Sequence, residues 1–269
     1  MPSQIKARKA PLTVEHKPNY KFWVRKSPLQ THMLNSVSLL LPKAEDWFCK
    51  TLRRWLPEVT DKSLQQDMRG FIYQEIQHAK GHSAHIDIMK EQGYKLDELV
   101  ANSFDLGLGK ISIEKHPKLA LAVTAGFEHY TAILGQSILE SKILDKADSE
   151  LGVLFRWHAI EELEHRTVAF DALHAVDPSY GLRIWGLLLG TYCLAISFLY
   201  LFFGLMKQDQ QWQWSQAKLT LRDYLRLLAH FKFFIPTMIH FFKYFGRHYH
   251  PGAMKVDSLI TRNTAILNL

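Results

Sequence analysis

Apolar side chains recur every three or four positions in four stretches of the chain, a spacing typical of helices with one buried face. Prolines, glycines and polar capping residues mark the limits of these stretches. The predicted helices run from Pro42 to about Leu56, from Asp61 to Gln92, from Pro117 to about Leu144 and from Ser149 to Asp177, with a loop over 102–110. Because no strand-like alternation of comparable length lies between them, an all-α fold is predicted. The four helices favour an antiparallel bundle over residues 31–178.

A fifth stretch, residues 182–207, is apolar on every face. No residue from Ile184 to Met206 is charged, and Arg183 and Lys207 stand at its two ends. A helix of this length reaches roughly 35 Å, enough to cross the hydrocarbon core of a bilayer. We therefore expect a membrane-embedded helix, with a buried core helix as the alternative. Residues 219–249 are basic and aromatic but interrupted, which predicts an interfacial or re-entrant amphipathic helix at the C-terminal end.

Basic residues are concentrated at the N-terminus. The chain has a net charge of +7, and residues 1–26 carry seven basic side chains against the single acid Glu15. Residues 1–30 are therefore predicted to form a flexible basic arm. No nucleic-acid-binding motif accompanies it, so an anionic membrane surface is the expected partner, with a solvated tail as the alternative.

Cysteine usage and the position of the apolar run bear on the compartment. Cys49 and Cys193 lie far apart in the sequence, so no disulfide framework is expected and a reducing compartment is favoured. The first long apolar run starts near residue 184, too late for a secretory signal. We expect a membrane-associated protein with its bundle on the cytoplasmic side.

The fourth predicted helix carries the strongest candidate chemistry. His158, Glu162 and His165 are spaced so that they share one helical face, and this face is also the apolar one. Glu161 and Glu164 point elsewhere and are predicted to be solvated. A carboxylate and two imidazoles aimed at the core require a compensating charge, because an unpaired buried carboxylate costs several kcal/mol.

The other helices extend this pattern. Glu75 and His78 form a second E-x-x-H pair on the apolar face of the second helix, and His82 is a weaker candidate one turn later. Glu45 lies on the apolar face of the first helix, and Glu128 is the one acid on that of the third. A four-helix bundle that holds two metal ions needs this arrangement of carboxylates and histidines.

Charge balance supports a di-metal site, since four glutamates offset two divalent ions while the histidines stay neutral. Oxygen and imidazole ligands favour iron, with manganese or zinc as alternatives. His158 is predicted to be either a ligand or a histidine that bonds to a ligating carboxylate. The predicted metal ligands are Glu45, Glu75, His78, Glu128, His158, Glu162 and His165.

The order of these ligands resembles that of the ferritin-like di-metal carboxylate proteins. The added His158, which gives H-x-x-x-E-x-x-H, is similar to the last-helix motif of the di-iron arylamine N-oxygenases. Over a longer span, "FIYQEIQHAKGH", "FEHYTA" and "WHAIEELEHRTVAFD" resemble a bacterial family labelled predicted metal-dependent hydrolase. These resemblances imply a ferritin-like four-helix bundle with a di-metal centre.

Three functions are compatible with this reading. The leading hypothesis is a membrane-associated di-iron oxidoreductase, which would take a lipophilic substrate from the bilayer together with dioxygen and an electron donor. The first alternative is a metal-dependent hydrolase that uses water activated by two metals. The second is a non-catalytic metal-binding membrane protein. No nucleic-acid partner is expected, and a homodimer is left open.

Overall fold

The computed structural model describes residues 5–12, 21–24, 27–141, 143–147, 149–209 and 238–269. Within these ranges the chain forms helices and one isolated β-bridge but no β-strand, so the all-α prediction is confirmed. The helices are α1 (Pro28–Trp55), α2 (Lys62–Glu91), α3 (Asp97–Leu106), α4 (Pro117–Glu140), α5 (Ser149–His165), α6 (Val168–Val176), α7 (Tyr180–Gln208) and α8 (Asp257–Leu267).

The bundle consists of α1, α2, α4 and the pair α5 and α6. Helix α1 packs against α2 and α4, and α5 packs against the same two helices from the other side. Phe48 of α1, Met68 and Phe71 of α2 and Phe127 of α4 are fully buried in the core between them. Helix α3 lies in the connection between α2 and α4. Four helices therefore direct one face each toward a common interior.

Two helix limits differ from those predicted. Helix α1 begins at Pro28 and not at Pro42, because Ser27 caps it by accepting a hydrogen bond from the Gln30 N–H group. Pro42 lies inside the helix, where burial of the preceding turns outweighs the missing hydrogen bond. The predicted loop at 102–110 also overlaps α3, a short helix with few buried residues and a weak sequence signal.

The fourth predicted helix is divided in two directly after the H-x-x-x-E-x-x-H motif. Helix α5 ends at His165, and α6 begins at Val168 after a turn. In this turn the Arg166 guanidinium donates a hydrogen bond to the Leu163 carbonyl oxygen. In an unbroken helix that oxygen would accept from the N–H group of residue 167, so Arg166 takes the place of a backbone donor.

The prediction of a flexible arm over residues 1–30 is wrong for the parts of this segment that the structure describes. Arg8 forms ion pairs with Glu161 and Glu164 of α5, at 3.0 and 2.8 Å. Leu12 is buried, and the Trp23 indole donates to the Asn35 side chain at 2.8 Å. A basic composition with few apolar residues predicts disorder. The composition does not reveal that the segment pairs with buried carboxylates of α5.

Helix α7 has one packed face and one exposed face. A Cβ atom added at Gly186 would lie 2.3 Å from the Ala122 carbonyl oxygen, and one added at Gly126 would lie 2.7 Å from the Leu187 Cα atom. Glycine therefore allows α4 and α7 to approach closely. The opposite face carries exposed apolar side chains: Trp185, Leu188, Tyr192, Leu199 and Phe203.

The C-terminal region is described only in part. Of the predicted amphipathic helix over 219–249, residues 219–237 lie outside the described residues, and residues 238–243 are helical. Tyr244 is buried against Phe170 of α6 and Leu187 of α7. Helix α8 packs on α5, where Leu259 joins Leu163 and Ile160 in a small apolar cluster.

The glycine contact between α4 and α7 gives a stability prediction. We expect Gly186→Ala to lower the free energy of unfolding by about 1–3 kcal/mol, because the added methyl group meets backbone atoms of α4. Gly181→Ala is the control on the same helix, since the nearest atom to its Cβ would be 3.9 Å away. Thermal unfolding followed by circular dichroism should show a decrease of roughly 3–10 °C for Gly186→Ala alone. Equal melting temperatures would contradict the close packing.

Candidate metal centre

The bundle interior brings together all seven residues selected from the sequence. Helix α1 contributes Glu45, α4 contributes Glu128, and α2 and α5 contribute the two E-x-x-H pairs with His158. Each side chain is buried, because each lies on the apolar face of its helix. Helical periodicity therefore places seven polar side chains within one core. Their role as ligands stays a prediction.

His165 is surrounded by three carboxylates. Its Nε2 atom lies 3.2 Å from Glu128 Oε2, 3.3 Å from Glu162 Oε2 and 3.4 Å from Glu75 Oε1. These residues come from three helices, α2, α4 and α5. The imidazole nitrogen thus marks one position at which oxygen and nitrogen donors converge.

A second convergence lies around His78 and His158, whose rings stack with their centroids 4.0 Å apart. His78 Nδ1 is 3.3 Å from Glu75 Oε1 and 3.7 Å from Glu162 Oε1. His158 Nε2 is 2.7 Å from Glu162 Oε1, and its Nδ1 is 4.0 Å from Glu45 Oε1. Glu75 and Glu162 therefore lie between the two convergences.

Three overlapping groups have donor atoms within 4.8 Å of one another, which is compatible with a bound ion. They are Glu45 with His78 and His158, Glu75 with His78 and Glu162, and Glu75 with Glu128 and His165. Together these groups include all seven predicted ligands. Because Glu75 and His78 each belong to two groups, the groups form one continuous centre.

Unsatisfied polar atoms test whether these residues fit a metal. Both carboxylate oxygens of Glu45, Glu128 Oε1, Glu75 Oε1 and His78 Nδ1 are buried without a hydrogen-bond partner in the part of the chain that the structure describes. Buried polar groups are normally hydrogen-bonded, and each exception costs about 1–3 kcal/mol. Since these atoms all face the same interior, divalent ions would satisfy them together. The residues present fit a metal centre.

The protonation of the metal-free centre reflects its burial. Burial, reinforced by the charge of Glu162, raises the pKa of Glu75 and of Glu128 to about 8. Burial also raises the pKa of Glu45. Although burial opposes both charges, Glu162 and His165 act on each other, so that the pKa of Glu162 falls and that of His165 rises. Without metal, protons and one ion pair balance the carboxylates.

Hydrogen bonds behind the centre fix the orientation of the histidine rings. His78 Nε2 is 3.1 Å from Glu161 Oε2, and His165 Nδ1 is 3.0 Å from Gln74 Oε1. Each of these rings therefore keeps its other nitrogen toward the glutamates. Such outer contacts set the tautomer and the position of metal-ligating histidines.

Two sequence-based assignments around the centre, those of Glu161 and Glu164, are wrong. Glu161 and Glu164 are buried and not solvated, because Arg8 pairs with both. His82 lies behind His158, with its Nε2 atom 2.9 Å from His158 Nδ1 and outside the three donor groups. His85 is buried beside Ser38. These contacts join residues distant in sequence, and helical periodicity within one segment does not reveal them.

The sequence model of a family described as predicted metal-dependent hydrolase matches residues 6–255. No curated protein and no solved structure matches the chain significantly. The resemblance to ferritin-like bundles is therefore not confirmed by a solved structure, although the helical fold and the donor groups do not conflict with it.

The pKa shifts predict how the stability of the metal-free protein depends on pH. Glu75 and Glu128 have folded pKa values of about 8, above the ordinary value of 4.5. The folded state therefore binds their protons more tightly than the unfolded state, and this contribution to the free energy of unfolding is lost as pH rises through 8. His165 contributes with the same sign, since its pKa is also raised. Because the lowered pKa values of His82 and His158 act below about pH 6.5, they do not oppose this trend.

We therefore expect the melting temperature of chelator-treated protein to fall between about pH 6.5 and 9. Protein loaded with Zn²⁺ or Mn²⁺ should not show this decrease, because bound ions offset the ionised carboxylates. Glu128→Gln serves as the matched variant: it should weaken the pH dependence without metal and reduce the stabilisation by metal. A melting temperature that rises across this range in the metal-free protein would contradict the buried carboxylate cluster.

Proposed function

The chain belongs to the family described as predicted metal-dependent hydrolase, and we therefore propose that it is an enzyme that uses two divalent metal ions to hydrolyse its substrate. The observation that carries this proposal is the set of buried donors without hydrogen-bond partners among the described residues. Four glutamates give a charge of −4, which two divalent ions neutralise. Such a donor set is unfavourable in a folded core unless cations are bound.

The seven donors would hold the ions in the continuous centre described above. When bound, a pair of divalent ions lowers the pKa of a water molecule and polarises the carbonyl or phosphoryl group of a substrate. The side chains of the protein hold the donors in place and keep bulk water out. Glu75 and Glu162, which lie between the two convergences, keep the donors together, and the apolar core around them excludes bulk water. Glu161 and Gln74 hold His78 and His165 in fixed orientations.

A second candidate function is oxidation of a lipophilic substrate with dioxygen and an electron donor. It is favoured by the donor set, which contains four carboxylates and three imidazoles, since oxygen and nitrogen donors suit iron and manganese. Cys49 is outside the donor groups. Its Sγ atom donates to the Ile72 carbonyl oxygen, and burial raises the pKa of its thiol, so a thiolate ligand is disfavoured.

Metal content and activity distinguish these functions, measured on the full chain purified in detergent. We expect about two metal ions per chain by mass spectrometry, and hydrolysis of p-nitrophenyl esters or phosphodiesters that a chelator abolishes. Glu162→Gln should lose metal and lower the hydrolysis rate by roughly 100-fold or more, because Glu162 contacts donors in both convergences. Glu91→Gln, at the exposed end of α2, is the control and should retain both.

The alternatives give different results in the same assays. Two iron ions with turnover that requires dioxygen and a reductant would favour the oxidoreductase. Bound metal without turnover in either assay would favour a non-catalytic metal-binding protein. Absence of metal in the unsubstituted protein, after reconstitution with Zn²⁺, Mn²⁺ and Fe²⁺, would contradict the metal centre itself.

We also propose that the protein is membrane-associated through α7. This helix is long and apolar enough to cross a membrane, and 33% of its most apolar 18-residue window is buried in the protein. Trp185, Tyr192 and Phe203 on the other face are about half exposed. Tryptophan and tyrosine side chains are enriched where proteins meet the membrane interface. The cytoplasmic placement of the bundle is part of this proposal.

Liposome binding tests the membrane proposal. The triple substitution of Trp185, Tyr192 and Phe203 by Ser should lower binding to vesicles of anionic and zwitterionic phospholipids by at least about tenfold, since it removes exposed apolar surface. Tyr73→Ser on α2 is the control, because Tyr73 is also an exposed aromatic residue. Unchanged binding of the triple variant in co-sedimentation would exclude this face of α7 as the membrane contact.

A further inference from the structure

Residues 5–12 form a strap, here called the N-terminal strap, that lies along α2. A Cβ atom added at Gly70 would be 3.0 Å from Ile5 Cγ2, so the absence of a side chain at Gly70 makes room for the strap. The Ala10 N–H group donates to Gln77 Oε1 at 3.4 Å. Leu12 is buried in an apolar cluster with Leu154. The strap is therefore packed on both sides of Arg8.

Arg8 contacts two buried glutamates of α5. Its Nη1 atom donates to Glu161 Oε1 at 3.0 Å and to Glu164 Oε2 at 2.8 Å, and its Nη2 atom donates to Glu164 Oε1 at 2.8 Å. The Arg8 side chain is 9% exposed. A buried guanidinium in contact with two carboxylates fixes both of them, because its donors lie in one rigid plane.

Glu161 connects Arg8 to the first metal-ligand histidine. One oxygen of Glu161 accepts from Arg8, and the other lies 3.1 Å from His78 Nε2. With a proton on Nε2, the unprotonated Nδ1 of His78 faces Glu75, at 3.3 Å. The Arg8 contact thus restrains the carboxylate that sets the tautomer of this histidine.

Glu164 connects Arg8 to the other histidine through one more side chain. Gln74 Nε2 donates to Glu164 Oε2 at 3.1 Å and also to the Lys6 carbonyl oxygen of the strap at 3.0 Å. This fixes the amide, so its Oε1 atom is directed at His165 Nδ1, at 3.0 Å. His165 then keeps Nε2 toward the glutamates of the centre.

We propose that Arg8 is a positioning residue of the metal centre, which orients His78 through Glu161 and His165 through Glu164 and Gln74. This inference rests on the proposed metal centre but not on the reaction that the centre performs. It assigns a function to a segment that the sequence presents only as basic. Two ligands on different helices depend on one side chain from a third part of the chain.

The geometry requires arginine and not simply a positive charge. A lysine ammonium group at this place has no planar pair of donors to bond both oxygens of Glu164 while reaching Glu161. Without any cation, two buried carboxylates would lack their partner and would turn away from His78 and Gln74. This movement would loosen the histidines, since outer contacts of metal ligands contribute about 10–100-fold to metal affinity.

Titration of chelator-stripped full-length protein with Co²⁺ tests this proposal, with affinity and the visible d–d spectrum as readouts. Arg8→Gln should weaken Co²⁺ binding by about 10–100-fold and alter the spectrum at saturation. Arg8→Lys should give a smaller loss of affinity. Lys9→Gln is the matched control, because it removes one positive charge from an exposed position of the same strap, and its affinity should be unchanged.

A purely structural role of Arg8 gives a different result. It would lower the melting temperatures of the metal-free and the metal-loaded protein equally and leave Co²⁺ affinity and spectrum as in the Lys9→Gln control. That outcome would overturn the proposal. If the unsubstituted protein binds no Co²⁺, the proposed metal centre is refuted, and this inference is refuted with it. If the unsubstituted protein and Arg8→Gln bind Co²⁺ with the same affinity, only the role of Arg8 is refuted.

Arg8→Gln could fail to fold because it leaves two carboxylates buried without a cation. The triple variant Arg8→Gln, Glu161→Gln, Glu164→Gln removes the two buried negative charges together with the arginine and keeps polar side chains of similar size. Its Co²⁺ affinity should remain lowered, because a neutral amide at 161 holds His78 less firmly than a carboxylate. Affinity equal to that of the unsubstituted protein would overturn the proposal in this background as well.

Discussion

The structure depends on the burial of four glutamates in one small volume. Glu45, Glu75, Glu128 and Glu162 come from four helices, and the packing that makes the core dry also removes the water that would solvate their charges. The core tolerates them only as protonated or paired groups, or with bound cations. The helix packing that makes burial of these carboxylates unfavourable therefore also brings their oxygen atoms close together.

Sequence periodicity is sufficient to predict that these glutamates share one core, because each lies on the apolar face of its own helix, where residues three and four apart coincide. The same reasoning failed for Glu161 and Glu164, since their partner Arg8 lies in a segment without periodicity. It also misplaced the start of α1, because Pro42 resembles a helix start when burial of the preceding turns is unknown. Local patterns predict faces of helices, while partners distant in sequence require the folded chain.

The family description and the donor set emphasise different chemistry. The description names hydrolysis, whereas four carboxylates with three imidazoles on helices of a bundle also suit iron. Both are compatible with metal binding by the buried glutamates and histidines. Helix α7 adds a second element to either function: it is packed closely on α4 through Gly126 and Gly186, so a membrane that contacts its outer face would lie beside the bundle.

The Arg8 contact also has a consequence for the order in which the chain folds. Arg8 and Glu161 are 153 positions apart, so a ribosome releases the arginine long before its partners exist. Closing such a long loop is entropically unfavourable until the helices between them have assembled. The contact between Arg8 and Glu161 therefore forms only after α5 has been synthesised.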